Sequence, residues 1–265
     1  MRTYPGLRPW DGDATSPSRQ SVPMTSPTLI TSPLPQRDRP TVGRRVGFAW
    51  VVLSSLSIVA VAISTYTAGT IESLAEQEIG LAQNYASLPA VFQYVLYVHI
   101  ASASVALLIG PAQFATALRT RFNRLHRALG RTYLVAVAVG GVAGLVLAPV
   151  NEAGFVGFFG FGMLAGLWLF TAVKAYRAVR ARDFRSHQAW MIRNFALTYA
   201  AVTLRIWLGL LVATHLLLGF DEGMTFANAY AAVPFLAWLP NIVVAEILIA
   251  RRGLPGLRWY QSGLD

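Results

Sequence analysis

Six runs of apolar residues, each near the length of a bilayer, constrain this chain more than any other feature. They cover about Val46–Tyr66, Val91–Ala117, Thr132–Val150, Val156–Tyr176, Met191–Gly219 and Ala231–Ala250. A helix rises about 1.5 Å per residue, so about 20 apolar residues cross a hydrocarbon core about 30 Å thick. Inside lipid every backbone N–H and C=O must be bonded within the protein, which leaves helices and closed barrels as spanning structures. The runs lack the period-two alternation of a barrel strand. The sequence therefore predicts an all-α integral membrane bundle of six transmembrane helices over residues 44–252. Composition agrees, with 55% hydrophobic and 13% charged residues and a mean hydropathy of +0.49. A soluble domain carries about 25% charged residues.

The net charge of +10 would suit a nucleic-acid partner if it were spread over one surface. It is instead sorted by loop. Arg44 and Arg45 precede the first run. Arg119, Arg121, Arg124, Arg127 and Arg131 lie between the second and third. Lys174, Arg177, Arg180, Arg182 and Arg185 lie between the fourth and fifth, and Arg251, Arg252 and Arg258 follow the sixth. The three alternate loops hold no Lys or Arg and carry Glu72, Glu76, Glu78, Glu152, Asp221 and Glu222. Basic residues resist translocation, so the expectation is both termini cytoplasmic, with the basic loops against lipid headgroups and no nucleic-acid partner.

Residues 1–40 differ in kind. They hold eight of the fourteen prolines and three Thr-Ser-Pro repeats, at Thr15, Thr25 and Thr31. Such a composition buries too little apolar surface to offset its ordering entropy, so a disordered cytoplasmic tail is expected, with docking or phosphorylation as its functional alternative. No apolar stretch follows its first charges, so it does not read as a signal peptide. Met24 is an alternative start. Residues 253–265 read as a second short tail.

Ionisable groups inside a bilayer are costly and need a reason. His99 lies about a third of the way into the second run from the acidic-loop side, and His215 near that end of the fifth. His126 and His187 lie at the opposite, arginine-rich boundary. With no cysteine in the chain, thiolate metal sites, Cys-ligated clusters and covalent haem attachment are excluded. Imidazoles on facing helices can ligate haem iron. A porphyrin also needs slim neighbours, and both histidine stripes supply them: Ala103, Ala106 and Gly110 after His99, and Gly130, Val137, Gly141 and Gly144 after His126. The expected pairs are His99 with His215 and His126 with His187, holding haem b. The first pair carries a vertical mismatch of about 8 Å at 1.5 Å per residue, which helix tilt would have to absorb. The alternative is hydrogen-bonded interior and interfacial histidines.

Arg205 sits near the middle of the fifth run. Glu246 is better placed for Arg193, and Asn241 is closer to the depth of Arg205. A missing counter-charge suggests an anionic ligand group such as a haem propionate or lipid phosphate; backbone carbonyls and snorkelling are the alternative. Gly140/Gly144 and Gly162/Gly166 are expected at close helix crossings. Gly110-Pro111 should break the second run, and Pro234 and Pro240 should bend the sixth. No P-loop, dinucleotide fingerprint, zinc-protease motif or nucleophile elbow is present.

Two segments carry a resemblance. Gly110-Pro111-Ala112-Gln113-Phe114 continues to Arg124-Leu125-His126-Arg127-Ala128-Leu129-Gly130-Arg131-Thr132-Tyr133. Asp183-Phe184-Arg185-Ser186-His187-Gln188-Ala189-Trp190-Met191-Ile192-Arg193 is followed by Thr203-Leu204-Arg205. Together they resemble a bacterial family of predicted multi-span membrane proteins (domain of unknown function 2306), over most of residues 45–250. The resemblance implies that His99, His126, His187 and Arg205 are characteristic positions. More loosely, histidines on several helices are similar to di-haem membrane cytochromes of the b type, although His187 and His215 lie 28 residues apart on one run, too far for the stacked arrangement. The expected function is a redox protein passing electrons to a quinone or partner protein. The alternatives are a structural or assembly subunit of a larger membrane complex, and a transporter of a small anionic molecule or lipid.

Overall fold

The computed structural model describes residues 42–77, 82–220 and 222–257. Residues 1–40 with Met24, Glu78, Asp221 and Arg258 lie outside that set, as do the side chains of Arg44 and Glu222. The described residues form helices and connecting turns, with no strand among them. In chain order the helices are α1 (Val42–Ala68), α2 (Ile71–Glu76), α3 (Ala82–Ala86), α4 (Ala90–Gln113), α5 (Thr116–Arg121), α6 (Asn123–Leu147), α7 (Gly154–Arg180), α8 (Phe184–Thr198), α9 (Ala200–Leu217), α10 (Glu222–Leu236) and α11 (Leu239–Arg251). Six segments are long and apolar enough to cross a membrane: Arg45–Ala68, Ala90–Gln113, Asn123–Val150, Gly154–Arg180, Phe184–Leu217 and Thr225–Arg251.

These segments coincide with the six apolar runs; the third, fourth and fifth reach further at their basic ends, whereas the second ends at Gln113, short of Ala117. α6 begins nine residues before Thr132, because backbone bonding continues while arginine side chains reach for water. Long apolar side chains such as Trp50, Val135 and Phe155 remain exposed, as lipid-facing residues do. Asp183 closes the first turn of α8, its carboxylate accepting from the Ser186 amide at 3.0 Å.

Three local features correct or extend the sequence reading. Pro111 does not break α4; it sits in the last turn, and the helix runs to Gln113. Only one carbonyl loses its donor there, so the helix end absorbs the defect. The loop after α1 is not an open tether. α2 and α3 pack Ile71, Leu74, Ala82 and Tyr85 onto Leu96 and Leu147, and Asn84 donates to the Val150 carbonyl at 3.0 Å. The fifth and sixth spans are each divided in mid-course, at Tyr199 between α8 and α9, where no bend was expected, and at Ala237–Trp238 between α10 and α11, which lies between Pro234 and Pro240, where one was.

The two divisions are tied together. Asn241 Nδ2 donates to Ala196 O, Ala237 O and Thr203 Oγ1, and Thr203 Oγ1 donates to Ala237 O. Carbonyls freed by the breaks thus receive side-chain donors, which is what allows interrupted helices inside a bundle. Pro234 lies in α10 against Gly160 of α7, where a Cβ would stand 2.9 Å from the Pro234 backbone. The main core joins Tyr133, Val137, Trp168, Met191, Leu197 and Trp238 from α6, α7, α8 and the α10–α11 junction.

Candidate functional site

A buried polar network lies at the centre of that core. Tyr133 Oη donates to Asn194 Oδ1 at 2.7 Å and meets Thr198 Oγ1 at 2.8 Å. Trp168 Nε1 donates to Thr198 Oγ1, and Asn194 Nδ2 to Trp168 O and Thr171 Oγ1, all at 2.8 Å. A buried polar group costs free energy unless bonded, and here each finds its partner. None of Tyr133, Asn194 and Thr198 is a candidate site residue in the sequence reading. The spacing of four between Asn194 and Thr198, one helix face seven residues beyond His187, was the available signal.

On the acidic-loop side of this network lies a cavity of about 260 Å³. Its walls are mostly apolar, with Leu96, Ile100, Leu164 and Trp168 among them, and Thr198 forms part of its floor. Two expected residues open onto it, His99 and Arg205. His99 Nδ1 lies 2.9 Å from Gly140 O. A carbonyl only accepts, so Nδ1 carries the proton and Nε2 keeps its lone pair. The contact depends on glycine: a Cβ at position 140 would stand 2.8 Å from Ser102 Oγ and 3.1 Å from Trp168. Gly140 is thus a close-approach position, whereas a Cβ would make ordinary contact at Gly144 (3.4 Å) and Gly162 (3.7 Å) and meet nothing within 4 Å at Gly166.

Arg205 Nη1 donates to Ala201 O, one turn back in α9, at 2.6 Å. No carboxylate among the described residues pairs with it; the ion pair observed is Arg193–Glu246, as the sequence suggested, at 2.5 Å with Arg193 only 3% exposed. Asn241, the expected neighbour of Arg205, spends its donors on the span breaks instead. Tyr66 and Tyr230 line the cavity and interact electrostatically with Arg205. At the mouth, burial pushes the Tyr85 hydroxyl up to about 12, so it stays a neutral donor. Burial likewise raises the Glu152 carboxyl beside it.

His215 does not line this cavity. Its Nδ1 donates to Leu211 O on its own helix at 2.9 Å, and its ring centroid lies 5.2 Å from Phe220. His126 and His187 lie at the opposite end of the polar network. α6 and α8 both start at the arginine-rich end and run the same way. Each histidine precedes a bonded partner by seven residues, His126 before Tyr133 and His187 before Asn194, so both stand two turns, about 10 Å, below that bond. The two interact electrostatically, and Arg119 also acts on His126. His187 Nδ1 donates to Ala175 O at 2.9 Å. His126 Nδ1 and Gln113 Nε2 are enclosed without a partner among the described residues. No group of three or more His, Cys, Asp or Glu side chains suited to a metal occurs among the described residues.

Residues 96–249 match the family described as predicted membrane protein (DUF2306), and with more than half of its length matched the chain belongs to that family. No curated protein and no solved structure matches the chain. The matched region spans both halves of the polar axis, from His99 to the Arg193–Glu246 pair.

Proposed function

We propose that the protein is a membrane-embedded carrier or binding protein whose cavity takes a small amphipathic organic anion. The observation that supports this most is Arg205, an exposed side chain that lines an apolar-walled cavity and has no carboxylate partner among the described residues. A cation in a low-dielectric wall favours an anionic group strongly, and apolar walls favour an apolar body. His99 Nε2 supplies an acceptor for a ligand hydroxyl. The volume of about 260 Å³ sits just under the roughly 300–1,000 Å³ of pockets that hold drug-sized ligands, which suits a compact molecule. Interrupted helices at mid-span recur in carriers, and the α8–α9 break adjoins Ala200, Ala201 and Arg205. The sorting of arginines favours both termini in the cytoplasm of a bacterial cell and the cavity towards the outer leaflet.

Purified protein in detergent, challenged with aromatic and medium-chain carboxylates and with their methyl esters, tests the reading. The expected result is thermal stabilisation by carboxylates, none by esters, and loss of the effect in Arg205→Gln. Equal stabilisation by acid and ester, or an unchanged response in the variant, overturns it.

The haem reading draws its support from the other end of the axis. His126 and His187 share a level on parallel helices, and the proton on His187 Nδ1 leaves Nε2 free, as in ligating imidazoles held by a backbone carbonyl. A b-type haem held there would supply one-electron chemistry towards a quinone or partner protein. In the cavity His99 is the sole imidazole, and the volume is small for a porphyrin. A Soret band that sharpens with dithionite and disappears in His126→Ala and His187→Ala supports this reading; a colourless protein from haem-supplemented cells defeats it.

A further inference from the structure

The first turns of α6 carry a second basic feature, on the outside of the bundle. Arg124, Arg127 and Arg131 line a surface groove of about 370 Å³ with Ala128. Spacings of three and four place all of them on one helix face. All three are exposed, and no acid among the described residues pairs with any of them. The same face continues as an apolar row. Val135, Val142 and Val146 follow at helical spacing, exposed by 63%, 56% and 44%. From Arg131 to Val142 the helix rises about 16 Å, close to one leaflet of a core about 30 Å thick.

We propose that this face binds one anionic phospholipid, its phosphate held by the three guanidiniums and an acyl chain lying along the valine row. Guanidinium forks match phosphate oxygens, and basic grooves at helix ends favour anionic headgroups. The apolar row distinguishes a lipid from free phosphate, which has nothing to lay along it. The inference is independent of what fills the internal cavity.

The full chain is delipidated in detergent, mixed with phosphatidylglycerol, phosphatidylcholine or inorganic phosphate, and examined by native mass spectrometry. The expected result is a retained phosphatidylglycerol adduct, at least ten-fold weaker phosphatidylcholine retention, and no competition from millimolar phosphate. The triple substitution Arg124→Gln, Arg127→Gln, Arg131→Gln should reduce phosphatidylglycerol retention at least ten-fold. The triple substitution Arg177→Gln, Arg180→Gln, Arg182→Gln, which removes equal charge elsewhere on the same end, should leave it unchanged. Where the first triple variant fails to fold, Arg127→Glu alone gives the same readout. Equal retention of the two lipids, full displacement by phosphate, undiminished retention in the groove variants or equal loss in the control overturns the assignment.

Discussion

Tyr133 and Asn194 are hydrogen-bonded at 2.7 Å, and each stands seven residues beyond a histidine on helices that run in parallel. The same offset continues upward. Eleven residues beyond the pair lie Gly144 and Arg205, which both line the cavity. The Tyr133 bonds to Asn194 and Thr198 thus bridge α6 and α8 between the histidine end of the bundle and the cavity.

Tyr133→Phe removes the hydroxyl that satisfies Asn194 Oδ1. Thr198 keeps the Trp168 donor and its own bond to Asn194 O, so the loss centres on one orphaned acceptor. An unpaired buried acceptor costs about 1–3 kcal/mol. Reversible unfolding in mixed micelles should report a loss in that range; an unchanged stability would mean that the network carries no weight.

Glu246→Gln leaves the Arg193 guanidinium enclosed and stacked on Trp190, 4.6 Å from the ring centroid, without its counter-charge. Breaking such a pair from one side costs about 3–5 kcal/mol, and the 33% exposure of Glu246 points to the lower end. The double variant Arg193→Met with Glu246→Leu should recover most of that loss in the same unfolding assay.

Gly160→Ala introduces a Cβ 2.4 Å from Pro234 Cβ and 2.9 Å from the Pro234 backbone. A backbone neighbour cannot swing aside, so overpacking of about 1–3 kcal/mol is expected, with α7 and α10 pushed apart. Gly166→Ala, where a Cβ meets nothing within 4 Å, is the matched control and should be neutral. Comparison of the two melting temperatures decides the point.

Much of this was readable in the residues beforehand, for a plain reason. Lipid imposes a length and a polarity on every span, so Val46–Tyr66 or Val156–Tyr176 could belong to little else. Arg193 with Glu246 was readable too, because two opposite charges at one depth in an apolar bundle have few other partners. The division at Ala237 was half readable, since it falls between Pro234 and Pro240, where a bend was expected; the division at Tyr199 was not, since Ala200 and Ala201 favour a continuous helix and only tertiary donors such as Asn241 make a break tolerable. The cap formed by α2 and α3 escaped notice because six- and five-residue helices carry no usable periodicity. Gly160 and Pro234 lie far apart in sequence, so their contact existed only once α7 and α10 were packed.

Asp183 gives a pH dependence of known sign. The Ser186 side chain and amide beside it hold its carboxyl below the ordinary Asp range, which is near 3.9. Its folded value is depressed, so its contribution is fully present above the unfolded value and fades as pH falls through the folded one. Stability measured from pH 6 down to pH 2 should therefore lose a component in wild type that Asp183→Asn, which still caps α8, does not lose. A parallel pH profile in the variant would contradict the assignment.

If Arg205 is the anion-binding group of the cavity, the affinity of one carboxylate probe, decanoate, for wild type, Arg205→Lys and Arg205→Gln, measured by titration calorimetry in detergent, reads it out. Binding should be saturable in wild type, weakened in the lysine variant, which keeps the charge but not the fork, and abolished in the glutamine variant. Equal affinity in all three, or no saturable binding to wild type, would contradict it.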